Sequence, residues 1–253
     1  MKINQSQKFT EFFEKQNSVR KVDFLVLHHV EANSVEHAIA QFREHQVSAH
    51  FLIDEAGEIF ELVGENDIAF HAGVSFWKGC EGLNKNSIGV EFINASPFSK
   101  KFEMTQMLAG AALCRHLIAK HNIAAGNIVG HSDIGYNKES GCLDRKQDPS
   151  HLFDWGFLAE QGVGFFPKIS LKNSEEKKLF AAGEKDLEIK KIKENLQKLG
   201  YRVVNLNEEF DLEMQALVRV FNRRFNPEKF QKNSDIWYLS SELLCRSLNC
   251  FFN

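Results

Sequence analysis

The chain is 253 residues long, 43% of them hydrophobic, and it carries a formal net charge of −3 at pH 7. This length allows one large domain or two unequal ones, and we expect two. The mildly acidic balance, without a basic stripe, excludes the usual pattern of proteins that bind nucleic acid or an anionic membrane surface.

Signals for export or membrane insertion are missing from the sequence. No apolar run reaches the length of a transmembrane helix, and residues 1–21 lack the apolar core of a signal peptide. The five cysteines are scattered without CxxC spacing, which argues against a disulfide framework and against a cysteine zinc finger. We expect a cytoplasmic monomer; a periplasmic or outer-membrane location would follow if the natural chain were longer or exported by another route.

Residues 20–160 alternate short apolar runs with helical patterns, which predicts an α/β fold. Ser34 can cap the first helix, and a second helix is predicted over 105–121. Glu91 shares a strand face with Gly89, so a carboxylate lies on an otherwise small and apolar surface. The predicted strands are 22–28, 48–54, 58–63, 87–93 and 127–131, the second and third forming a hairpin.

The last third of the chain has a different pattern. Residues 168–185 form a charged stretch that we interpret as a linker. Apolar residues then recur at helical spacing in three segments, the first ended by Gly200 and the second capped by Asp211. This pattern predicts two domains, 1–167 and 186–253, of which the second is a small all-α three-helix bundle.

Three residues point to a metal site. His28 and His131 lie at the ends of predicted strands, and Asp148 follows in a polar segment. Two imidazoles and one carboxylate supply three ligands of a tetrahedral zinc ion and leave its fourth position open. Ordinary explanations exist too, because a histidine at a strand end is often structural and Asp before Pro is common in turns.

Other residues could take part in such a site. His29 points to the opposite sheet face from its neighbour, and His71, which precedes a glycine, could close the site. Cys142 or Asp144 could replace Asp148 as a ligand. Spacing alone leaves these alternatives open.

Glu91 and Lys146 are candidates for the chemistry. Glu91 could act as a general base, because an apolar surface favours proton uptake by a carboxylate, or could form a buried ion pair. Lys146 precedes Asp148 by two residues, where an ammonium could stabilise a developing oxyanion or could simply be solvated.

Several motifs occur together in the order found in one enzyme family. The chain resembles the zinc-dependent N-acetylmuramoyl-L-alanine amidases of the second amidase family, of AmiD/AmpD type, over roughly residues 20–160. The region from about 185 to 250, with FNRRFNP at 221–227, resembles the peptidoglycan-binding domain that follows in AmiD-type enzymes. The motifs are FLVLHH, VSAHFLID, AFHAGVSFWKG, NSIGVEF, VGHSDI and RKQDPSHLFDW.

The resemblance implies a fold and a set of roles. The implied fold is a mixed central β-sheet flanked by helices, as in peptidoglycan-recognition proteins, with one zinc ion per chain. Matched position by position, the implied roles are zinc ligands for His28, His131 and Asp148, catalysis for Glu91 and Lys146, and a substrate groove lined by His71, Ala72 and Trp77.

The implied reaction is hydrolysis of the amide between the lactyl group of N-acetylmuramic acid, or its anhydro form, and L-Ala of the stem peptide. The substrate would be peptidoglycan or its fragments. Two other functions are compatible with the resemblance: a recognition protein with little activity, and a zinc peptidase acting on the stem peptide. One departure stands out, since residues 136–145 are longer and more charged than in the relatives, which predicts an insertion at the rim of the site.

Overall fold

The structure is a computed structural model that describes residues 2–5, 9 and 11–252. The chain divides into two compact units. Among the helices of these residues, none combines the length and the apolar composition that crossing a membrane requires. The sheet unit comprises Met1–Gly73, Gly82–His131 and Asp148–Phe165, and the helical unit comprises Val74–Glu81, Ser132–Gln147 and Phe166–Asn253.

The secondary structure alternates strands and helices up to residue 160 and is mainly helical after it. The strands are β1 (Ile3–Asn4), β2 (Phe13–Glu14), β3 (Phe24–Val30), β4 (Phe51–Ile53), β5 (Ile59–Glu61), β6 (Ile68–Ala69), β7 (Phe76–Trp77), β8 (Cys80–Glu81), β9 (Ser87–Ile93), β10 (Ile128–Gly130), β11 (Lys178–Ala181) and β12 (Ile236–Tyr238). The α-helices are α1 (Val35–Glu44), α2 (Met104–His121), α3 (His131–Ile134), α4 (Trp155–Glu160), α5 (Leu187–Leu199), α6 (Leu212–Phe225), α7 (Pro227–Lys232) and α8 (Leu239–Phe252). Short 3₁₀ turns cover Leu83–Asn86, Ala125–Asn127 and Asn173–Glu175.

The centre of the sheet unit is a mixed sheet with the strand order β1-β5-β4-β9-β3-β10. β3 runs parallel to β9 and β10, while β4 and β5 form the predicted antiparallel hairpin. Leu25, Val26 and Leu27 of β3 are fully buried, as expected of a central strand covered on both faces. The predicted mixed sheet flanked by helices is confirmed.

α1 begins directly after Ser34, as predicted, and α2 covers nearly the predicted range of 105–121. Ser34 Oγ accepts a hydrogen bond from the backbone N–H of His37 and so caps α1. The side-chain amide of Gln106 in α2 donates to the carbonyls of Ile53 and Ile93, at 2.9 and 2.8 Å. These two bonds fasten α2 to β4 and β9 from one buried side chain.

β3 begins and ends two residues later than the sequence predicts. The two residues that follow His28, His29 and Val30, also pair with β9. His28 therefore lies inside the strand rather than at its end. His28 pairs directly with Glu91, and directly paired residues of neighbouring strands point to the same face of a sheet. The register of β3 and β9 therefore places two candidate functional side chains side by side.

The helical unit contains the three predicted helices, as α5, α6 and α8. Gly200, with φ of +124°, ends α5, and Asp211 caps α6 by accepting from the N–H of Met214 at 2.9 Å. The unit also contains α7 and an antiparallel pair, β11 with β12. β11 lies within 168–185, the stretch interpreted as a linker; it is ordered by pairing with β12, whose Trp237 is fully buried.

Candidate active site

Three potential ligand atoms converge in the sheet unit. His28 Nδ1 lies 3.1 Å from His131 Nδ1 and 3.0 Å from Asp148 Oδ2, and the latter two atoms are 3.1 Å apart. Among the described residues, this is the group of His, Cys, Asp or Glu side chains arranged to hold a metal ion. The fold thus brings Asp148 to the two histidines, rather than Cys142 or Asp144.

Three backbone segments supply these atoms. His28 comes from the interior of β3, and His131 follows β10 directly. β10 pairs with β3 so that Gly130 lies opposite Leu27, which places the two histidines at the same height of the sheet. Asp148 is the first residue of Asp148–Phe165, the third stretch of chain that belongs to the sheet unit.

A chain of hydrogen bonds behind His28 determines which ring nitrogen carries its proton. Ser87 Oγ donates to the carbonyl of Leu83 at 2.6 Å, so the same oxygen accepts from Nε2–H of His71 at 3.2 Å. The Nδ1 of His71 is then an acceptor, and it receives Nε2–H of His28 at 3.0 Å. The Nδ1 of His28 therefore presents a lone pair to the cluster.

His71 can play this part because its ring is neutral. Burial lowers the pKa of His71 well below its ordinary value, and the neighbouring imidazoles act in the same direction. Gly89 makes room for the ring, since a Cβ at that position would lie 2.5 Å from His71 Cγ. A glycine in a central strand thus marks the close approach of another side chain.

A second network orients His131. Its Nε2–H donates to the carbonyl of Ala72 at 3.1 Å, which leaves the Nδ1 lone pair for the cluster. The backbone N–H groups of His71 and Ala72 in turn donate to Asn84 Oδ1, at 3.1 and 2.7 Å. One asparagine side chain therefore holds the turn that supports both imidazoles.

The cluster fits a tetrahedral cation. With these tautomers all three facing atoms are acceptors, so none of them can hydrogen-bond to another. Ligand atoms at the usual zinc distances lie about 3.3 Å apart around a regular tetrahedron. The observed separations of 3.0 to 3.1 Å are close to that value, and a cation at the centre would satisfy all three acceptors.

Glu91 lies next to the cluster without being part of it. Its Oε1 is 3.9 Å from His28 Nδ1, and the residue is 8% exposed. Leu52 of β4 pairs with Glu91 on the other side, so the carboxylate has an apolar neighbour on the sheet. A carboxylate in this position can exchange a proton with a molecule held at the cluster.

His71 and Ala72, predicted to line the substrate groove, lie behind the two histidines. They are 7% and 0% exposed and contact the imidazoles as described above. Contact of either residue with a substrate stays a prediction, but their position gives them a supporting role toward the ligands. Asn84 and Ser87, which were not predicted from the sequence, also support the ligands. Gly89 was the available signal, because a glycine inside a central strand indicates the close approach of another group.

Trp77 and Lys146 belong to the helical unit. The Trp77 ring packs edge-to-face on Tyr201, with 4.8 Å between ring centroids. Lys146 is half-buried, and chain connectivity alone keeps its Cα within about 7 Å of the Cα of Asp148. The roles of Trp77 in substrate binding and of Lys146 in catalysis stay predictions.

His29 points away from the cluster, as the strand alternation predicts. Its Nδ1 accepts a hydrogen bond from the backbone N–H of Ser150 at 3.2 Å. Burial lowers the pKa of His29 to about 4, against an opposing effect of the Asp148 charge, so the ring is neutral. His29 is therefore a packed residue of the opposite sheet face.

The fold is that of an α/β protein, and beside a glutamate it holds a cluster of two histidines and a carboxylate that could bind a metal ion. The sequence profile of the N-acetylmuramoyl-L-alanine amidase family matches residues 18–151. The chain belongs to this family.

Relatives of known name agree with this assignment. The N-acetylmuramoyl-L-alanine amidase AmiD of Escherichia coli K12 is 29% identical over 85% of this chain and 79% of its own length. The 1,6-anhydro-N-acetylmuramyl-L-alanine amidase AmpD of Salmonella typhimurium SL1344 is 39% identical over 46% of this chain and 57% of its own.

Two solved structures of complexes are similar over nearly the whole chain. One is E. coli AmiD with anhydro-N-acetylmuramic acid-L-Ala-D-γ-Glu-L-Lys, at 26% identity and a TM-score of 0.73, covering 94% of this chain and 93% of that one. The other is Pseudomonas aeruginosa AmpDh3 with anhydromuramic pentapeptide, at 25% identity and a TM-score of 0.69, covering 94% and 95%.

We expect His71→Ala to weaken zinc binding by about 10- to 100-fold, because His28 loses the acceptor that fixes its tautomer. Competition with a chromophoric chelator measures this affinity without reference to activity. Ser87→Ala should weaken binding in the same direction but less. His116→Ala, which removes an exposed histidine of α2, is the matched control and should bind zinc as the unchanged chain does. Unaltered affinity in His71→Ala would contradict the supporting role.

Proposed function

We propose that the chain is a zinc-dependent amidase that hydrolyses the bond between the lactyl group of N-acetylmuramic acid and L-Ala of the stem peptide. The observation that carries this proposal is the convergence of His28, His131 and Asp148 beside Glu91, in a chain of the amidase family. The cluster without an adjacent glutamate, or a buried glutamate without the cluster, would favour hydrolysis less strongly than the two together.

Anhydro-N-acetylmuramic acid occurs in the names and ligands of the relatives. Both similar complexes hold an anhydro-muramic peptide, and the matched AmpD is named for the 1,6-anhydro sugar. We therefore include the anhydro form among the substrates of this chain.

Zinc is the metal that best suits the donor set. Two imidazole nitrogens and one carboxylate oxygen, with space for a fourth ligand, are typical of catalytic zinc sites, whereas calcium and magnesium favour oxygen donors. His28, His131 and Asp148 would hold the ion. When bound, zinc supplies Lewis acidity toward a carbonyl oxygen and water of lowered pKa.

Glu91 would transfer the proton, and Lys146 would stabilise the negative charge of the oxyanion. Glu91 accepts a proton from the attacking water as the water oxygen bonds to the lactyl carbonyl carbon. Lys146 stabilises the negative charge that develops on the carbonyl oxygen. The C–N bond then breaks, and Glu91 returns the proton to the alanine nitrogen. The products are a stem peptide with a free amino group and a muramic acid carboxyl group, which gives its remaining proton to the amine or to solvent.

We expect Glu91→Gln to lower the rate of hydrolysis by about 10²- to 10⁴-fold while leaving the fold intact, because the amide cannot accept the proton. Mass spectrometry of products from the zinc-loaded chain, with soluble anhydro-muropeptides and with intact peptidoglycan, measures this. Glu44→Gln, an exposed change in α1, is the matched control and should be as active as the unchanged chain.

The product masses separate the alternatives. Stem peptide beginning with L-Ala identifies the amidase. Cleavage within the stem peptide would indicate a peptidase instead. Binding of muropeptide with no product from either substrate would indicate a recognition protein and overturn the proposal.

Lys146→Ala should lower kcat by about 10²- to 10³-fold, as the loss of one oxyanion partner does in acyl-transfer enzymes. Steady-state kinetics with an anhydro-muropeptide measures the effect. Lys138→Ala, which removes an exposed lysine from the same segment, is the control and should leave kcat unchanged. A loss under about tenfold in Lys146→Ala would remove Lys146 from the oxyanion role.

We also propose that residues 186–253 bind peptidoglycan and that the chain works in the cytoplasm. The resemblance of the helical region supports the first point. All five cysteines lie within the described residues and are free thiols, which supports a reducing compartment. Binding of peptidoglycan favours the polymer as substrate, whereas a cytoplasmic location favours soluble fragments. The amount of product from intact peptidoglycan, relative to that from anhydro-muropeptides, decides between them.

A further inference from the structure

The segment that carries Lys146 is held by arginines of the helical unit. Ser132–Gln147 belongs to that unit and contains the predicted insertion. The contacts come from α6 and from the loop after α5. They join Arg202 to Gly141, Arg219 and Arg223 to Asp144, Arg223 to Lys146, and Arg224 to Asp133.

Asp144 is the centre of these contacts. Its Oδ2 accepts from Arg219 Nε and its Oδ1 from Arg223 Nη2, both at 2.6 Å. The Arg223 side chain is 3% exposed and that of Asp144 is 14% exposed, so water screens the pair weakly. Charge-assisted hydrogen bonds of this kind are the strong ones in proteins. We call Asp144, Arg219 and Arg223 the Asp144 clamp.

The clamp extends to the backbone of Lys146. Arg223 Nη1 donates to the Lys146 carbonyl at 3.4 Å, while its guanidinium stacks over the Phe230 ring at 5.0 Å. Asp144 has φ of +72°, a left-handed conformation that side chains other than glycine rarely adopt. The two ion pairs fix the Asp144 side chain, two positions before Lys146.

Two further contacts fix the rest of the segment. Arg202 Nη1 donates to the carbonyl of Gly141 at 2.6 Å, and its guanidinium lies 4.5 Å from the centroid of the Tyr136 ring. Arg224 pairs with Asp133 at 2.5 Å, with both side chains buried. The segment is thus fastened near its start, in its middle and near Lys146.

These contacts give the two arginines of the FNRRFNP stretch a structural role instead of a role in glycan binding. Arg223 and Arg224 are buried and paired with acidic residues of the same unit, so neither offers an exposed charge to a glycan. Long loops without such anchors sample many conformations, and a lysine on one would have to be ordered in each turnover. Anchoring removes that cost before the substrate arrives.

We propose that Asp144 and Arg223 are positioning residues for Lys146, so that α6 contributes to catalysis by fixing the segment that bears this lysine. The inference rests on the proposed function, in which Lys146 stabilises the oxyanion.

A double-mutant cycle between Asp144 and Lys146 tests the proposal. Asp144→Asn should lower kcat by about 10- to 100-fold with KM nearly unchanged, because a misplacement near 1 Å is that costly. In the Lys146→Ala background the same change should alter kcat by less than about twofold, because its effect passes through the missing lysine. Zinc affinity should stay as in the unchanged chain.

Two variants serve as controls. Asp235 also pairs with Arg219, at 2.8 Å, but lies outside the segment. Asp235→Asn should therefore leave kcat unchanged. Arg223→Lys keeps the charge but loses the fork that reaches both Asp144 and the Lys146 carbonyl. It should behave as Asp144→Asn does, and it replaces that variant in the cycle if Asp144→Asn does not fold.

The outcomes are distinct. Equal losses in the two backgrounds, or a loss larger than that of Lys146→Ala alone, would show a general effect on the fold and overturn the inference. Weakened zinc binding would show that the clamp acts through Asp148 and would also overturn it. No product from the unchanged chain would overturn the proposed function, and this inference with it.

Discussion

The site depends on one constraint: His28 Nδ1, His131 Nδ1 and Asp148 Oδ2 face one another at 3.0 to 3.1 Å, and all three are acceptors. Lone pairs at this separation repel unless a cation lies between them. The sheet unit maintains the convergence in two ways. The parallel register of β3 with β10 places His131 beside His28, and the register of β3 with β9 places Glu91 there. The hydrogen bonds through His71 and Ala72 keep each imidazole from rotating or changing tautomer.

The sequence predicts the features that local patterns encode. Apolar runs mark strands because a buried strand needs apolar side chains on both faces, and capping residues mark helix starts because they satisfy free N–H groups. His28 and Glu91 could therefore be assigned to strands, and His131 to the end of one, from the sequence alone. The choice between Asp144 and Asp148 as third ligand could not be made this way. Both lie in one polar segment, and its path is set by arginines such as Arg219, 75 positions away from Asp144.

Several features that the sequence did not predict arise from contacts between residues that are far apart in the chain. β11 lies in a charged stretch and becomes a strand only by pairing with β12, some sixty residues later. Ser87 and Asn84 look like ordinary polar residues until the fold brings them to the turn at His71. The insertion was visible as extra charge, but the partners of Asp144 within it and of Asp133 before it are on α6. No spacing rule within one segment reveals such pairs.

We infer that the Nδ1 atoms of His28 and His131 and the Oδ2 atom of Asp148 bind one metal ion. Diffraction from crystals of the zinc-loaded chain, measured at the zinc absorption edge, tests it most directly. We predict one anomalous peak per chain, about 2.0 to 2.2 Å from His28 Nδ1, His131 Nδ1 and Asp148 Oδ2. A peak ligated by Asp144 or by the Nε2 atoms, or no peak at the cluster in crystals shown by elemental analysis to contain zinc, would contradict it.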